Sequence, residues 1–168
     1  MRDDQWQLEM LCNIAASEIL MPTGNLPVES TDRLTIDKLV DFQEKFDVSM
    51  EAILLRVVRL ERRNCAVFVA SQKHDRLSLD YAVETVGAGF GLESGLLLPK
   101  RTRIADCTAI GYTAKGDEEW VSGQPLHVEC IAMPAYPGQH RPRVGGILYR
   151  KGERSDGTPR IRFVVGDA

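Results

Sequence analysis

The sequence has no apolar run of the roughly 18–20 residues that a transmembrane helix needs, so we expect no membrane-spanning helix. It also has no apolar signal segment near its first residue, which makes the cytoplasm the expected location. An excess of basic residues is absent as well, because the formal net charge is −3. That charge argues against a protein that binds nucleic acid over its whole surface, although it is compatible with a small basic patch.

Cysteine is scarce, and no two cysteines are close in sequence. The four are Cys12, Cys65, Cys107 and Cys130, and no C-x-x-C pair occurs that would indicate a zinc knuckle. Each has apolar or small neighbours, so the sequence favours buried, reduced thiols.

The first half of the 168-residue chain has the spacing of helices. Residues 4–21 contain no Gly or Pro and are apolar on both sides, which predicts a helix that is buried on most of its circumference. A second, amphipathic helix is predicted over residues 34–46. A third begins after Ser49, a good N-cap, and runs to about Arg62. Two helices separated by a three-residue break form a helix-turn-helix pattern.

From about Asn64 the pattern changes to strands. We predict strands near 65–70, 77–85, 126–133, 144–150 and 161–165, and a helix over 102–112. The resulting fold class is α+β, with a helical N-terminal part followed by a mostly antiparallel sheet. We expect residues 64–168 to fold alone.

One polar stripe crosses the first helix. Gln5, Glu9 and Asn13 are spaced by four and therefore share one side of the helix. A carboxylate in a helix that is apolar nearly all round must be paired or bind a metal ion. The simpler alternative is that Glu9 lies on the solvent side of an amphipathic helix.

The segment from Glu9 to Pro22 resembles the ImmA/IrrE family of metallopeptidase-like regulators. It shares a Glu, an Asn four residues later, small residues and an apolar-Met-Pro end. The resemblance continues through Phe46–Ser49 and Arg56–Leu60. It extends more weakly through 98–103 and 164–168, which are similar to the GAF-like domain of the IrrE radiation- and desiccation-response regulators.

This resemblance implies a division of the chain into three parts. Residues 1–33 would be the remnant of a zinc-peptidase-like domain, 34–63 a helix-turn-helix-like unit and 64–168 a GAF-like antiparallel sheet domain. The implied function is regulation of stress response and gene control in the cytoplasm. In a complete family member, peptidase action on a transcriptional repressor would relieve repression.

The resemblance makes Glu9 the third ligand of a zinc ion. The first two ligands in the family are histidines of a preceding H-E-x-x-H helix. This chain lacks that motif, and none of His74, His127 and His140 has a second histidine four residues away. We therefore predict no zinc and no catalysis by this chain alone. The chain is either trimmed, truncated or one fragment of a split protein, and its partners would be the repressor or the missing N-terminal segment.

Two further sites carry alternative functions. Arg56, Arg59 and Arg63 recur at helical spacing and predict a basic face for DNA phosphates, unless that face is merely solvated. On this hypothesis the chain is a helix-turn-helix transcriptional regulator.

The other site is a ligand pocket. A third hypothesis makes the chain a GAF-like small-molecule sensor, with Arg101, Arg103 and His127 as polar groups of a pocket beside the sheet. The alternative is a filled core. We also expect residues such as Leu8, Leu11 and Ile14 either to be exposed or to be hidden in a homodimer.

Overall fold

Three α-helices and five strands form the fold within residues 3–26 and 33–152, which are the residues that the computed structural model describes. The helices are α1 (Asp3–Leu20), α2 (Ile36–Phe46) and α3 (Met50–Leu60). The strands are β1 (Cys65–Lys73), β2 (Arg76–Glu84), β3 (Thr113–Glu119), β4 (Pro125–Met133) and β5 (Arg143–Arg150). Two short 3-10 helices, Thr23–Asn25 and Arg103–Asp106, complete the regular structure. The α+β class is confirmed.

Local sequence explains the break between α2 and α3. Helix α2 ends at Phe46, and its C-cap residue Asp47 adopts the left-handed conformation with φ 51°. Asp is one of the few residue types besides Gly that adopt this conformation. Helix α3 then begins at Ser49, whose hydroxyl oxygen accepts a hydrogen bond of 3.2 Å from the N–H of Ala52. The predicted Ser49 cap is therefore confirmed.

The sheet is antiparallel throughout, with strand order β2-β1-β5-β4-β3. Because side chains alternate along a strand, its two faces form two cores. One face packs against α2 and α3 through residues such as Val67, Ile131 and Ile147. The opposite face is covered by the connection between β2 and β3, which buries Phe90, Leu98 and Ile104.

The helices and the sheet share the first of these cores. Ile53, Leu54 and Val57 of α3 are buried in the same cluster as Val67 and Val69 of β1. A boundary at residues 63 and 64 therefore does not separate two cores.

Two sequence expectations about helices are wrong. Only Arg103–Asp106 is helical within the predicted 102–112 helix, and it is a single 3-10 turn. The apolar side chains described in α1 are not buried: Leu8 is 62% exposed, Leu11 58% and Ile19 78%. None of the described helices is long and apolar enough to span a bilayer.

One strand was missed, and another lies outside the described residues. Strand β3 is a polar edge strand with sequence TAKGDEE, so it lacks the apolar alternation that identifies a strand. The strand predicted at 161–165 belongs to the undescribed residues.

Candidate functional site

An open cleft of about 530 Å³ lies at the edge of the sheet, where β3 meets the segment that precedes it. Its lining is mixed in charge and contains hydroxyl groups and one aromatic ring. The lining residues are Arg103, Ala105, Asp106, Thr108, Tyr112, Thr113, Ala114 and Lys115. Two cations and one carboxylate thus border a volume that is adequate for a small metabolite.

The carboxylate of Glu118 on β3 holds one wall of the cleft. It accepts hydrogen bonds from the Thr102 hydroxyl, at 2.5 Å, and from the backbone N–H of Arg103. The stem of Arg103 then crosses Gly116, where a Cβ atom would approach Arg103 Cγ to 2.7 Å. Gly116 thus provides the space that brings Arg103 onto β3, and the guanidinium group stays largely exposed, 3.9 Å from Asp106.

The opposite cation, Lys115, belongs to a network on the helix-facing side of the sheet. Its ammonium group pairs with Asp37 in the first turn of α2 and lies 3.7 Å from Glu129 Oε2. The hydrogen bond that Lys115 donates to Asp37, followed by the charge of Glu129, raises the pKa of Lys115 above its usual value. Lys115 is therefore cationic at neutral pH.

Glu129 on β4 is a buried carboxylate with a structural role. Its Oε2 accepts a hydrogen bond of 2.8 Å from the N–H of Ile36, the first residue of α2. A carboxylate at that position satisfies one free N–H and complements the helix dipole. The contact ties the start of α2 to the sheet.

His127 bridges two carboxylates on the same face. Its Nδ1 lies 2.9 Å from Asp117 Oδ1, and its Nε2 lies 3.4 Å from Glu129 Oε1. Asp117 also pairs with Lys151 at 2.7 Å. Lys151, followed by His127, holds the pKa of Asp117 below its usual value. The predicted pocket residue His127 thus contributes to a surface ion network.

Of the three predicted pocket residues, only Arg103 lines the cleft. Arg101 is exposed and lies outside the lining, and the half-buried His127 lies outside it as well. Sequence reasoning missed Asp106, Tyr112 and Lys115. The polar stretch of β3 gave no sign that it forms a strand, so nothing in the sequence indicated that Lys115 lies near Arg103.

The predicted basic face on α3 is not continuous. Arg56 is only 8% exposed, and its guanidinium group donates to Met21 O, Thr23 Oγ1 and Glu18. Arg63 forms a 2.9 Å ion pair with Glu61. Arg59 is exposed. The expectation of one exposed arginine face is therefore wrong, because Arg56 points into the junction with the end of α1.

The predicted zinc ligand Glu9 lies within α1, but its side chain is outside the described part of the structure. Among the described residues, no three or more His, Cys, Asp or Glu side chains are placed to hold a metal ion.

No protein-family model matches the chain, and no curated protein sequence matches it either.

Proposed function

We propose that the chain is a non-catalytic regulatory protein of the cytoplasm, similar to the ImmA/IrrE regulators, whose GAF-like sheet domain senses a small anionic molecule. The observation that carries this proposal is the open cleft of metabolite size, which is lined by the exposed Arg103 and by Lys115, whose ammonium group also pairs with Asp37. Tyr112 adds an exposed ring for stacking, and the hydroxyl groups of Thr108 and Thr113 add hydrogen-bonding groups.

The antiparallel sheet and the loops that cover one of its faces agree with the GAF-like architecture implied by the resemblance. The centre of that covered face is filled by Phe68, Phe90 and Ile104, each fully buried. The ligand site that we propose is therefore the cleft at the sheet edge.

We do not propose that α2 and α3 read DNA, although they keep the helix-turn-helix-like order. Helix α3 directs Ile53, Val57 and Arg56 inward, and a recognition helix must present several side chains to a groove. We propose instead that the two helices couple the sheet to α1 through the contacts of Arg56.

Thermal unfolding with added anions tests the sensor function. A ligand of the folded state at 100 times its Kd stabilises the protein by about 2.7 kcal/mol. We expect one or more of phosphate, nucleoside monophosphates and dicarboxylates to raise the Tm. Arg103→Ala and Lys115→Ala should abolish the shift.

Arg101→Ala is the matched control, since Arg101 is exposed and close in sequence but does not line the cleft. If Arg101→Ala removes the shift as completely as Arg103→Ala, the anion binds elsewhere. If none of the three anion classes raises the Tm, the anionic ligand is refuted.

The resemblance also carries a proposal about zinc and partners. We propose that this chain alone retains no stoichiometric zinc, since it contains no H-E-x-x-H pair of histidines, and that a transcriptional repressor binds it. The exposed Leu8, Leu11 and Ile14 of α1 support a partner surface. Metal analysis of the purified chain is the test, and one zinc per chain that is lost in Glu9→Ala would overturn it.

A further inference from the structure

Two cysteines that are distant in sequence meet beside the cleft. Cys107 follows the 3-10 helix Arg103–Asp106, and Cys130 lies in β4 on the face opposite α2 and α3. Their Sγ atoms are 3.5 Å apart. Both side chains are buried, and Cys130 Sγ also lies 3.5 Å from the carbonyl oxygen of Ala114 on β3.

We propose that Cys107 and Cys130 form a reversible dithiol–disulfide site that is oxidised by a hydroperoxide. This site goes beyond the sensor function and does not depend on which ligand the cleft takes. A disulfide bond is about 2.05 Å long, so the two sulfur atoms must approach by roughly 1.5 Å.

The segment after Cys107 lies at the surface. Residues 108–112 are exposed. Within the described part of the chain, two backbone hydrogen bonds of 2.9 Å join the end of this segment to Ala132 of β4, one from the Gly111 N–H and one to the Tyr112 carbonyl oxygen. The strand that carries Cys130 is central to the core, so we expect Cys107 to move.

The two thiols differ in the way that such a reaction requires. The hydrogen bond from Cys130 lowers the pKa of Cys107, while the same contact and burial raise the pKa of Cys130. Cys107 also belongs to the surface segment, with exposed Asp106 and Thr108 beside it. Cys107 is therefore the attacking thiolate, and Cys130 resolves the product.

The chemistry balances in two steps. Cys107 thiolate attacks the peroxide, forming an S–O bond while the O–O bond breaks. The leaving group is hydroxide from hydrogen peroxide, or the alkoxide from an organic hydroperoxide, and it takes up a proton to become water or an alcohol. The sulfur of Cys130 then attacks the Cys107 sulfenic acid, so that an S–S bond forms and the S–O bond breaks with loss of water. Overall, two thiols are oxidised to one disulfide and one hydroperoxide is reduced. A thiol reductant reverses the change.

The consequence for the fold is local. The disulfide would fasten one wall of the cleft, which carries Asp106 and Thr108, to β4, an interior strand of the sheet. Whether this wall is linked to β4 would then depend on the concentration of hydroperoxide.

The test uses the full chain with Cys12→Ser, because Cys12 is exposed and would form disulfides between molecules. After treatment with hydrogen peroxide, we expect two of the three remaining thiols to disappear on titration in denaturant. The mass of the protein should fall by about 2 Da, a proteolytic peptide pair should link Cys107 to Cys130, and dithiothreitol should restore both thiols.

Cys65 is the internal control, since it is fully buried and belongs to the other core. In the Cys12→Ser, Cys130→Ala variant, Cys107 should stop at a sulfenic acid that dimedone traps. If that variant does not fold, peptide mapping of the Cys12→Ser protein alone decides the question. Retention of all three thiols, or oxidation of Cys107 to a sulfinic or sulfonic acid without the linked peptides, would overturn the proposal.

Discussion

Replacing Arg56 should destabilise the protein much more than replacing any exposed arginine of α3. The substitution Arg56→Met keeps most of the apolar stem and removes the guanidinium donors, two of which contact Met21 O at 3.1–3.2 Å and one of which contacts Thr23 Oγ1 at 2.9 Å. Met21 is buried, so its carbonyl oxygen would lose the partner that the guanidinium group supplies.

The magnitude follows from these contacts. Each hydrogen bond to the neutral oxygens of Met21 and Thr23 contributes about 1 kcal/mol, and the pairing with Glu18 adds less, because the Glu18 side chain is 51% exposed. We therefore expect Arg56→Met to lower the free energy of unfolding by about 2–3 kcal/mol. For a chain of this size, that loss lowers the Tm by roughly 5–10 °C.

Thermal unfolding followed by circular dichroism measures the effect, and Arg59→Met is the control on the same helix. Arg59 is exposed, so its replacement should change stability by less than about 0.5 kcal/mol. Equal Tm values for the two variants would refute the buried placement of Arg56.

A DNA-binding assay separates the structural role from phosphate contact. If Arg56 contacted phosphate, Arg56→Met would weaken binding to duplex DNA and reduce the salt dependence by about one counterion, with little change in Tm. We expect instead that Arg56→Met lowers the Tm and leaves DNA binding and its salt dependence unchanged.

Three further predictions concern other contacts. The Thr23 backbone N–H, followed by Arg56, holds the pKa of Glu18 at about 2, below its ordinary 4.5. The contribution of ionised Glu18 to stability is therefore complete above pH 4.5 and lost as the pH falls towards 2. The Tm of the Glu18→Gln variant should fall less steeply across that range than the Tm of the unchanged protein. Gly146→Ala should destabilise by about 3 kcal/mol or more, because its Cβ would lie 2.3 Å from a backbone carbonyl oxygen. Gly145→Ala, whose Cβ meets mainly the flexible Met133 side chain, should cost less in the same urea titration. The apolar face of α1 should bind a hydrophobic dye or form a dimer in sedimentation, and Leu11→Glu should abolish either; a monomer that binds no dye would contradict this prediction.

Local signals in the sequence predicted α2, α3 and four of the five described strands. The apolar periodicity of these elements and the Ser49 cap act within a few residues, so no knowledge of the fold is needed to recognise them. Local signals do not identify the exposed strand β3. Residues 113–119 form a strand because their backbone pairs with β4, and the polar sequence of β3 does not indicate that partner.

Non-local contacts also explain the wrong helix and the incomplete site. The Glu118 carboxylate accepts hydrogen bonds from the Thr102 hydroxyl and the Arg103 N–H. These contacts favour a single helical turn in place of the predicted 102–112 helix. Cys107 and Cys130 are separated by 23 residues, and only the sheet register and the covering segment bring their sulfur atoms together. Buried, reduced thiols were predicted from the local neighbours of each cysteine, and those neighbours carry no information about which two cysteines meet in the fold.

The burial of Arg56 also bears on the role of α1. Described side chains along α1 are largely exposed, yet its C-terminal end is held firmly, because Glu18, Met21 and Thr23 all contact one guanidinium group. A helix that is anchored at one end and exposes Leu8 and Leu11 can present an apolar surface without giving up its connection to α3. If a partner covers that surface, its effect can reach the sheet through Arg56 and the buried side of α3. Arg56→Met should then weaken the coupling between α1 and the sheet while leaving the apolar surface itself unchanged.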